Sequence, residues 1–199
     1  MDPPKTKRVD RMKYKIPAVI FAGGKSSRMG RDKALLPFAD YNSLAQYQYE
    51  RLQGLFGKVY ISAKKDKFDF RTELIYDRYD VSSPLAGILS IFETLDADEI
   101  FILSVDAPFV DENVIEKLLK ENKEGIDTVI AQSPDGLQPL CGIYKRSLLP
   151  LAKKHLQENR HRLTQLLKEA KSKFVAFEDD DPFTNLNHPH EYEKALKQL

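Results

Sequence analysis

From Gly23 to Lys33 the chain reads Gly-Gly-Lys-Ser-Ser-Arg-Met-Gly-Arg-Asp-Lys, gathering glycine and positive charge into one short stretch. Glycines let backbone N–H groups approach phosphate oxygens with no Cβ in the way, and Arg28 and Lys33 can add charge-assisted hydrogen bonds. Such a loop is suited to gripping a polyphosphate. Two better-known phosphate loops do not fit. Gly24-Lys25-Ser26 mimics the end of a Walker A motif, but the earlier glycine of that motif would fall at Val19, inside an apolar run. The dinucleotide pattern G-x-G-x-x-G fails as well, since Gly23 and Gly24 are adjacent and the next glycine is Gly30. Composition alone also allows a mobile basic loop that joins a strand to a helix.

Asp106 closes the apolar run EIFILSV and precedes Pro108. Its carboxylate is a hard oxygen ligand of the kind Mg²⁺ takes, one or two at a time, alongside substrate phosphates. It could also cap the following turn. Asp77 follows the run ELIY, and Ser83-Pro84-Leu85-Ala86-Gly87 opens a helix-like segment soon after. Gln138-Pro139-Leu140 precedes a strand-like run, and Asn185-Leu186-Asn187 precedes the last helix-like one. Side-chain amides both donate and accept, which suits a heterocycle, although Asn187 could equally cap the helix. His188 and His190 have no third ligand at a known metal spacing. Cys141, the single cysteine, cannot close a disulfide within the chain and reads as a small core residue.

These residues fall at the ends of alternating elements. Strand-like runs (IPAVIFA, KVYIS, ELIY, EIFILSV, DTVIA, LCGIY, KFVAF) alternate with helix-like ones (SLAQYQYERLQGLF, PLAGILSIFETL, ENVIEKLLKEN, SLLPLAKKHLQEN, RLTQLLKEA, PHEYEKALKQL). That order predicts an α/β fold: a mainly parallel, twisted, Rossmann-like sheet with helices on both faces, AVIFA and IFILSV lying centrally. Ligands of such sheets bind at the C-terminal ends of strands, where the Gly-rich loop and Asp106 are expected. Ser43, Ser83 and Asp111 are expected to cap helices, with Pro84 at the first helical position. Residues 1–15 are basic and poor in packing residues, so they read as a tail before one domain over 16–199. Lys plus Arg number 31 against 30 for Asp plus Glu, a net charge of +1 that provides no global field for nucleic acid. No apolar run is long enough to cross a bilayer, and with one cysteine and no signal-like start the cytoplasm is the expected compartment.

The segment FAGGKSSRMGRDKALLPF resembles the signature L-A-G-G-x-S-x-R-M-G-x-D-K of the molybdenum cofactor guanylyltransferase family. The resemblance continues through YDRYDVSSPLAGIL, LSVDAPFV, LQPLCGIY and FTNLNHPHEYEKAL. It implies transfer of GMP from GTP to the terminal phosphate of molybdenum cofactor (molybdopterin), with release of pyrophosphate. It also implies Mg²⁺ held by Asp106, and Lys33, Arg28 and Asp106 as catalytic residues. Phe21, Ala22, Gly23, Gly24, Lys33, Ser62, Asp77 and Asp106 would bind nucleotide, and Gln138, Asn185 and Asn187 would face the acceptor. Molybdoenzymes or their chaperones are the implied recipients. Guanine is favoured because related cytidylyltransferases show Ala-Ala-Gly where this chain has Ala22-Gly23-Gly24. A cytidylyltransferase, or a non-catalytic nucleotide-binding module, is the competing reading. The chain departs from the family pattern at Phe21, at Val105 and Ala107 on either side of Asp106, and at Ile61-Ser62-Ala63-Lys64, where many relatives carry an Asn.

Overall fold

The computed structural model describes residues 13–23 and 30–198. Each strand-like run forms a strand: β1 (Ala18–Phe21), β2 (Val59–Ala63), β3 (Leu74–Tyr76), β4 (Glu99–Ser104), β5 (Thr128–Ser133), β6 (Gly136–Lys145) and β7 (Ser172–Ala176). The helix-like runs form α1 (Leu44–Leu55), α2 (Pro84–Thr94), α3 (Glu112–Lys120), α4 (Leu149–Gln157), α5 (Leu163–Glu169) and α6 (Pro189–Leu196). The sheet order is β3-β2-β1-β4-β6-β5-β7, and β6 alone among these strands runs against its neighbours. From β1 the chain winds outward to β2 and β3, then returns to lay β4 on the other side of β1. That reversal opens a crevice above the C-terminal ends of β1 and β4.

The central strands are apolar on both faces because both faces are covered. Ala18, Ile20, Phe101 and Leu103 join one buried cluster with Leu44, Leu52, Val114 and Leu118 from α1 and α3. Val19, Phe21, Ile100 and Ile102 join the other with Leu85, Ile88, Leu89 and Leu166 from α2 and α5. Alternation along a strand thus sends successive side chains into opposite layers. The expected caps hold: Ser43, Ser83 and Asp111 each accept from the backbone N–H three residues on, and Pro84 opens α2.

Two boundaries differ from the sequence expectation. Tyr14 falls in the segment read as a tail, yet its N–H donates to Leu55 at 2.8 Å, its carbonyl accepts from Gly57 at 3.1 Å, and its ring lies 5.3 Å from that of Phe56. An aromatic side chain and two backbone bonds outweigh the basic composition around it. Gln138 lies inside β6 rather than before it. The β5–β6 register slips so that Ile130 faces Gly142 while Ala131 faces Gln138, and Pro139 sits where the ladder is broken and no N–H is needed. Gly142 is required at this bulge, because a Cβ there would stand 2.4 Å from the Val129 carbonyl oxygen. The buried Tyr144 hydroxyl donates to the Pro139 carbonyl at 2.5 Å and holds the bulge in shape.

Candidate active site

The ends of β1, β2 and β4 are laced together: Ala22 N–H donates to Ser62 at 3.0 Å, and Val105 N–H donates to Phe21 at 2.9 Å. Asp32 caps the short 3-10 turn Lys33–Leu35 by accepting from Ala34 N–H at 3.1 Å. This turn directs the Lys33 ammonium to Asp106 Oδ2, with which it forms an ion pair, and to Asn187 Oδ1 at 2.9 Å. The Ser104 hydroxyl donates to the other Asp106 oxygen at 2.5 Å. Leu186 N–H donates to the Asp106 carbonyl at 2.9 Å and draws the Asn185–Asn187 segment alongside. Asn187 is not the helix cap. His188 occupies that position, and Glu191 accepts from the N–H groups of both Asn187 (2.7 Å) and His188 (2.8 Å), leaving the Asn187 side chain to Lys33.

Two cavities open beside this cluster and share Pro84 and Leu140 as a common wall. The smaller, about 320 Å³, is bordered by Phe21, Gly23, Ser62, Lys64 and Asp77. Burial pushes the Asp77 carboxyl up from its ordinary value, while the nearby Lys64 ammonium and hydrogen bonding from Ser62 pull it back. Gly87 is needed here for Phe21: a Cβ on Gly87 would lie 2.7 Å from the Phe21 ring, which walls the cavity. The larger cavity, about 530 Å³, is bordered by Asp106, Gln138, His161, Arg162, Asn185 and Asn187. Both volumes are in the range of small-molecule sites. Cys141 also borders the larger one, but it is buried and its thiol is pushed up to about 12, so it is no nucleophile at neutral pH.

The fold therefore brings together Phe21, Gly23, Ser62 and Asp77 around one cavity and Asp106, Gln138, Asn185 and Asn187 around the other, with Lys33 joined to Asp106 and Asn187. Ala22 is buried just behind, its carbonyl accepting from Lys67 at 3.1 Å. Gly24 and Arg28 lie outside the described residues. Among the described residues no three His, Cys, Asp or Glu side chains cluster as a metal cage, and the stacked His188 and His190 rings stand without such a set. The donor set instead suits Mg²⁺, which takes one or two carboxylates and completes its shell with water and phosphate oxygens. Asp106 already bears a cation, the Lys33 ammonium, on one of its oxygens.

Several supporting residues escaped the sequence reading. The buried Gln48 amide donates to the carbonyls of Ala107 at 3.0 Å and of Ser104 and Val105 at 3.4 Å. Arg51 donates to the Gln48 side-chain oxygen at 2.5 Å and to the Val110 carbonyl. A polar Gln among Leu44, Ala45, Tyr49 and Leu52 on the buried face of α1 was the available signal. Lys67, from the stretch after β2, also donates to Asp32 Oδ2 at 2.5 Å, and no local pattern announces that contact.

Residues 18–174 match the family described as the MobA-like NTP transferase domain. A molybdenum cofactor guanylyltransferase of Campylobacter jejuni (strain 81116) is 43% identical over 183 residues, covering 91% of this chain and 95% of that protein. One from Helicobacter pylori (strain G27) is 37% identical over 189 residues, covering 92% and 93%. In fold, the chain is similar to the crystal structure of molybdopterin-guanine dinucleotide biosynthesis protein A from Archaeoglobus fulgidus, with a TM-score of 0.79 at 18% identity over 92% of this chain and 98% of that one.

Proposed function

Given that this chain belongs to the MobA-like NTP transferase family, we propose that it transfers GMP from GTP to the terminal phosphate of molybdopterin, releasing pyrophosphate and forming the guanine dinucleotide cofactor. The observation that carries this reading is the Lys33–Asp106–Asn187 cluster beside two cavities with a common wall, one for each substrate. The smaller takes the guanosine of GTP, between the Phe21 ring and Asp77. The larger takes the pterin, with the amides of Gln138, Asn185 and Asn187 facing the heterocycle.

In the reaction an oxygen of the acceptor phosphate bonds to the α-phosphorus of GTP as the bond from that phosphorus to the bridging oxygen breaks, and pyrophosphate leaves with the electron pair. A phosphate monoester has a second pKa near 6, so the acceptor is largely dianionic at neutral pH and needs no general base. The obstacle is repulsion between anions and their alignment, which calls for positioned positive charge. Lys33 supplies one charge, held in place by Asn187, and Arg28 with the amides of Gly23 and Gly24 is assigned to the same triphosphate. Mg²⁺, when bound, neutralises phosphate charge and orients the leaving group, and Asp106 is the residue assigned to hold it. Ser104 keeps the carboxylate turned toward the substrates. The cytoplasm, and delivery to a molybdoenzyme or its chaperone, complete the proposal. No helix among the described residues is long and apolar enough to cross a membrane.

The test is direct. The purified protein is incubated with Mg²⁺, molybdopterin and each of the four NTPs in turn, and pyrophosphate and product mass are followed. Release of pyrophosphate with a GMP adduct is expected. A CMP adduct would reassign the base, and no adduct with any NTP would refute the transfer.

A further inference from the structure

Strand β2 ends at Ala63, and the sequence alternates there: Ser62 and Lys64 border the smaller cavity, while Ala63 is buried behind them. Lys64 is thus the cation, among the described residues, that edges the cavity in which Asp77 is the anion. Its ammonium is close enough to Asp77 to act on that carboxyl, and no hydrogen bond or ion pair holds it among the described residues. Among the described residues the remaining border is Gly23, Ser62, Ser82 and Ser83, and Phe21, Pro84 and Leu140, whose apolar surfaces suit the faces of a flat ring. The polar contacts that tell one base from another therefore fall chiefly to a carboxylate and an ammonium.

We propose that Lys64 is a base-specificity residue, donating to O6 of guanine while Asp77 accepts from the N1–H and the 2-amino group of the same edge; this rests on the GTP reading above. The pattern on the protein is acceptor beside donor. Guanine presents two donors and then an acceptor along that edge and matches it. Cytosine presents its amino donor where the ammonium stands and lone pairs where the carboxylate stands, so both contacts become repulsive. Adenine offers an amino donor to Lys64 and a lone pair at N1 to Asp77 and fails in the same way. Two charged groups thus favour guanine and penalise cytosine and adenine at once, while uracil matches at O4 and N3–H but lacks the second donor that Asp77 accepts from guanine. An ammonium can donate but never accept, so at this position it removes the ambiguity that a side-chain amide would leave.

The experiment measures equilibrium binding of GTP, 6-thio-GTP and CTP, with Mg²⁺, to the wild-type protein, Lys64→Met and Lys64→Arg. The thio analogue keeps N1–H and the 2-amino group and replaces only O6 with a weak acceptor. A hydrogen bond to a charged group corresponds to about tenfold in affinity. Lys64→Met is expected to bind GTP about tenfold more weakly and 6-thio-GTP nearly as before, erasing the wild-type preference between them, and Lys64→Arg should restore most of it. Equal weakening of GTP and 6-thio-GTP by Lys64→Met would show that the lysine senses phosphate charge, and no change in either would show that it contacts neither. Either result overturns the inference while leaving guanine selectivity standing. A wild-type protein that binds CTP as tightly as GTP would overturn the guanine reading itself, and this inference with it.

Discussion

At the residue scale, Lys33 and Asp106 touch each other, yet the proposed transfer gives them different tasks, one as a cation for the triphosphate and the other as a ligand for its metal. Removing a preorganised charge that meets developing negative charge costs roughly 3–4 kcal/mol, or about 100- to 1000-fold in turnover. Lys33→Ala and Asp106→Ala are each expected to lose transfer by about that factor. Neither strands its partner, because Asn187 still accepts from Lys33 and Ser104 still donates to Asp106, so far-UV circular dichroism should stay native. Asp106→Ala should also lose its response to added Mg²⁺, whereas Lys33→Ala should keep one; wild-type transfer by Asp106→Ala with unchanged metal dependence would mean the metal is held elsewhere. Asp77 poses the opposite balance of stability and function. Its folded carboxyl is raised by burial above the ordinary 3.8, so ionising it opposes folding, and its contribution to stability falls as pH rises past the unfolded value. Asp77→Asn is therefore expected to melt no lower than wild type at pH 7 while binding GTP more weakly. On acidification the wild type should lose GTP affinity at a pH above the ordinary aspartate value, and the variant should not show that step. A matching step in both would assign it to the nucleotide.

At the element scale, the turn after β4 owes its shape to α1. Gln48 and Arg51 reach across to the carbonyls of residues 104–110, the turn that carries Asp106. Gln48→Leu keeps the apolar body of the side chain and removes the donor, leaving buried carbonyls unsatisfied at a cost of about 1–3 kcal/mol. A domain of this size should then melt several degrees lower, at about 2–4 °C per kcal/mol. Transfer should fall further than stability accounts for when measured well below the melting point, with more Mg²⁺ needed for half-maximal rate. A lowered melting temperature with an unchanged Mg²⁺ requirement would reduce Gln48 to a packing residue. The β5–β6 bulge acts similarly beside the larger cavity. It lets Pro139 and Leu140 leave the β5–β6 ladder and border the cavities beside the still-paired Gln138, an outcome that depends on Gly142 and Tyr144 behind them.

At the scale of the whole molecule, the site exists because the strand order reverses between β1 and β4 and because helices close both faces of the sheet. Loops whose sequences lie far apart then meet over one edge: Lys33 and Asn187 are hydrogen-bonded across 154 positions of chain. The N-terminal end of the folded unit gives a sharp test. Removing residues 1–12 is expected to leave both turnover and melting temperature near wild type, since that stretch of sequence is basic and poor in packing residues, whereas Tyr14 packs against Phe56. Extending the deletion through residue 15 should lower the melting temperature by several degrees, as the Tyr14 ring and its two backbone bonds are lost. A large fall in turnover with the shorter deletion, at unchanged stability, would show that the basic arm reaches a substrate.

The sequence by itself determined the alternation of strands and helices, the capping residues Ser43, Ser83 and Asp111, and the chemistry available at Lys33, Asp77 and Asp106. Each of these is written in near neighbours: in hydrophobic periodicity, in the three-residue reach of a cap, and in a run of glycine and charge after an apolar strand. The tertiary structure decided what depends on distant pairings. It took Asn187 out of the helix cap and gave it to Lys33, set Gln48 beneath the Asp106 turn, and placed Lys64 at the rim of the Asp77 cavity. It also moved Tyr14 into the fold and Gln138 into a strand. Such contacts are legible only once the strand order is known, because they join residues with no common periodicity, and their strength comes from burial that no local stretch of sequence can report.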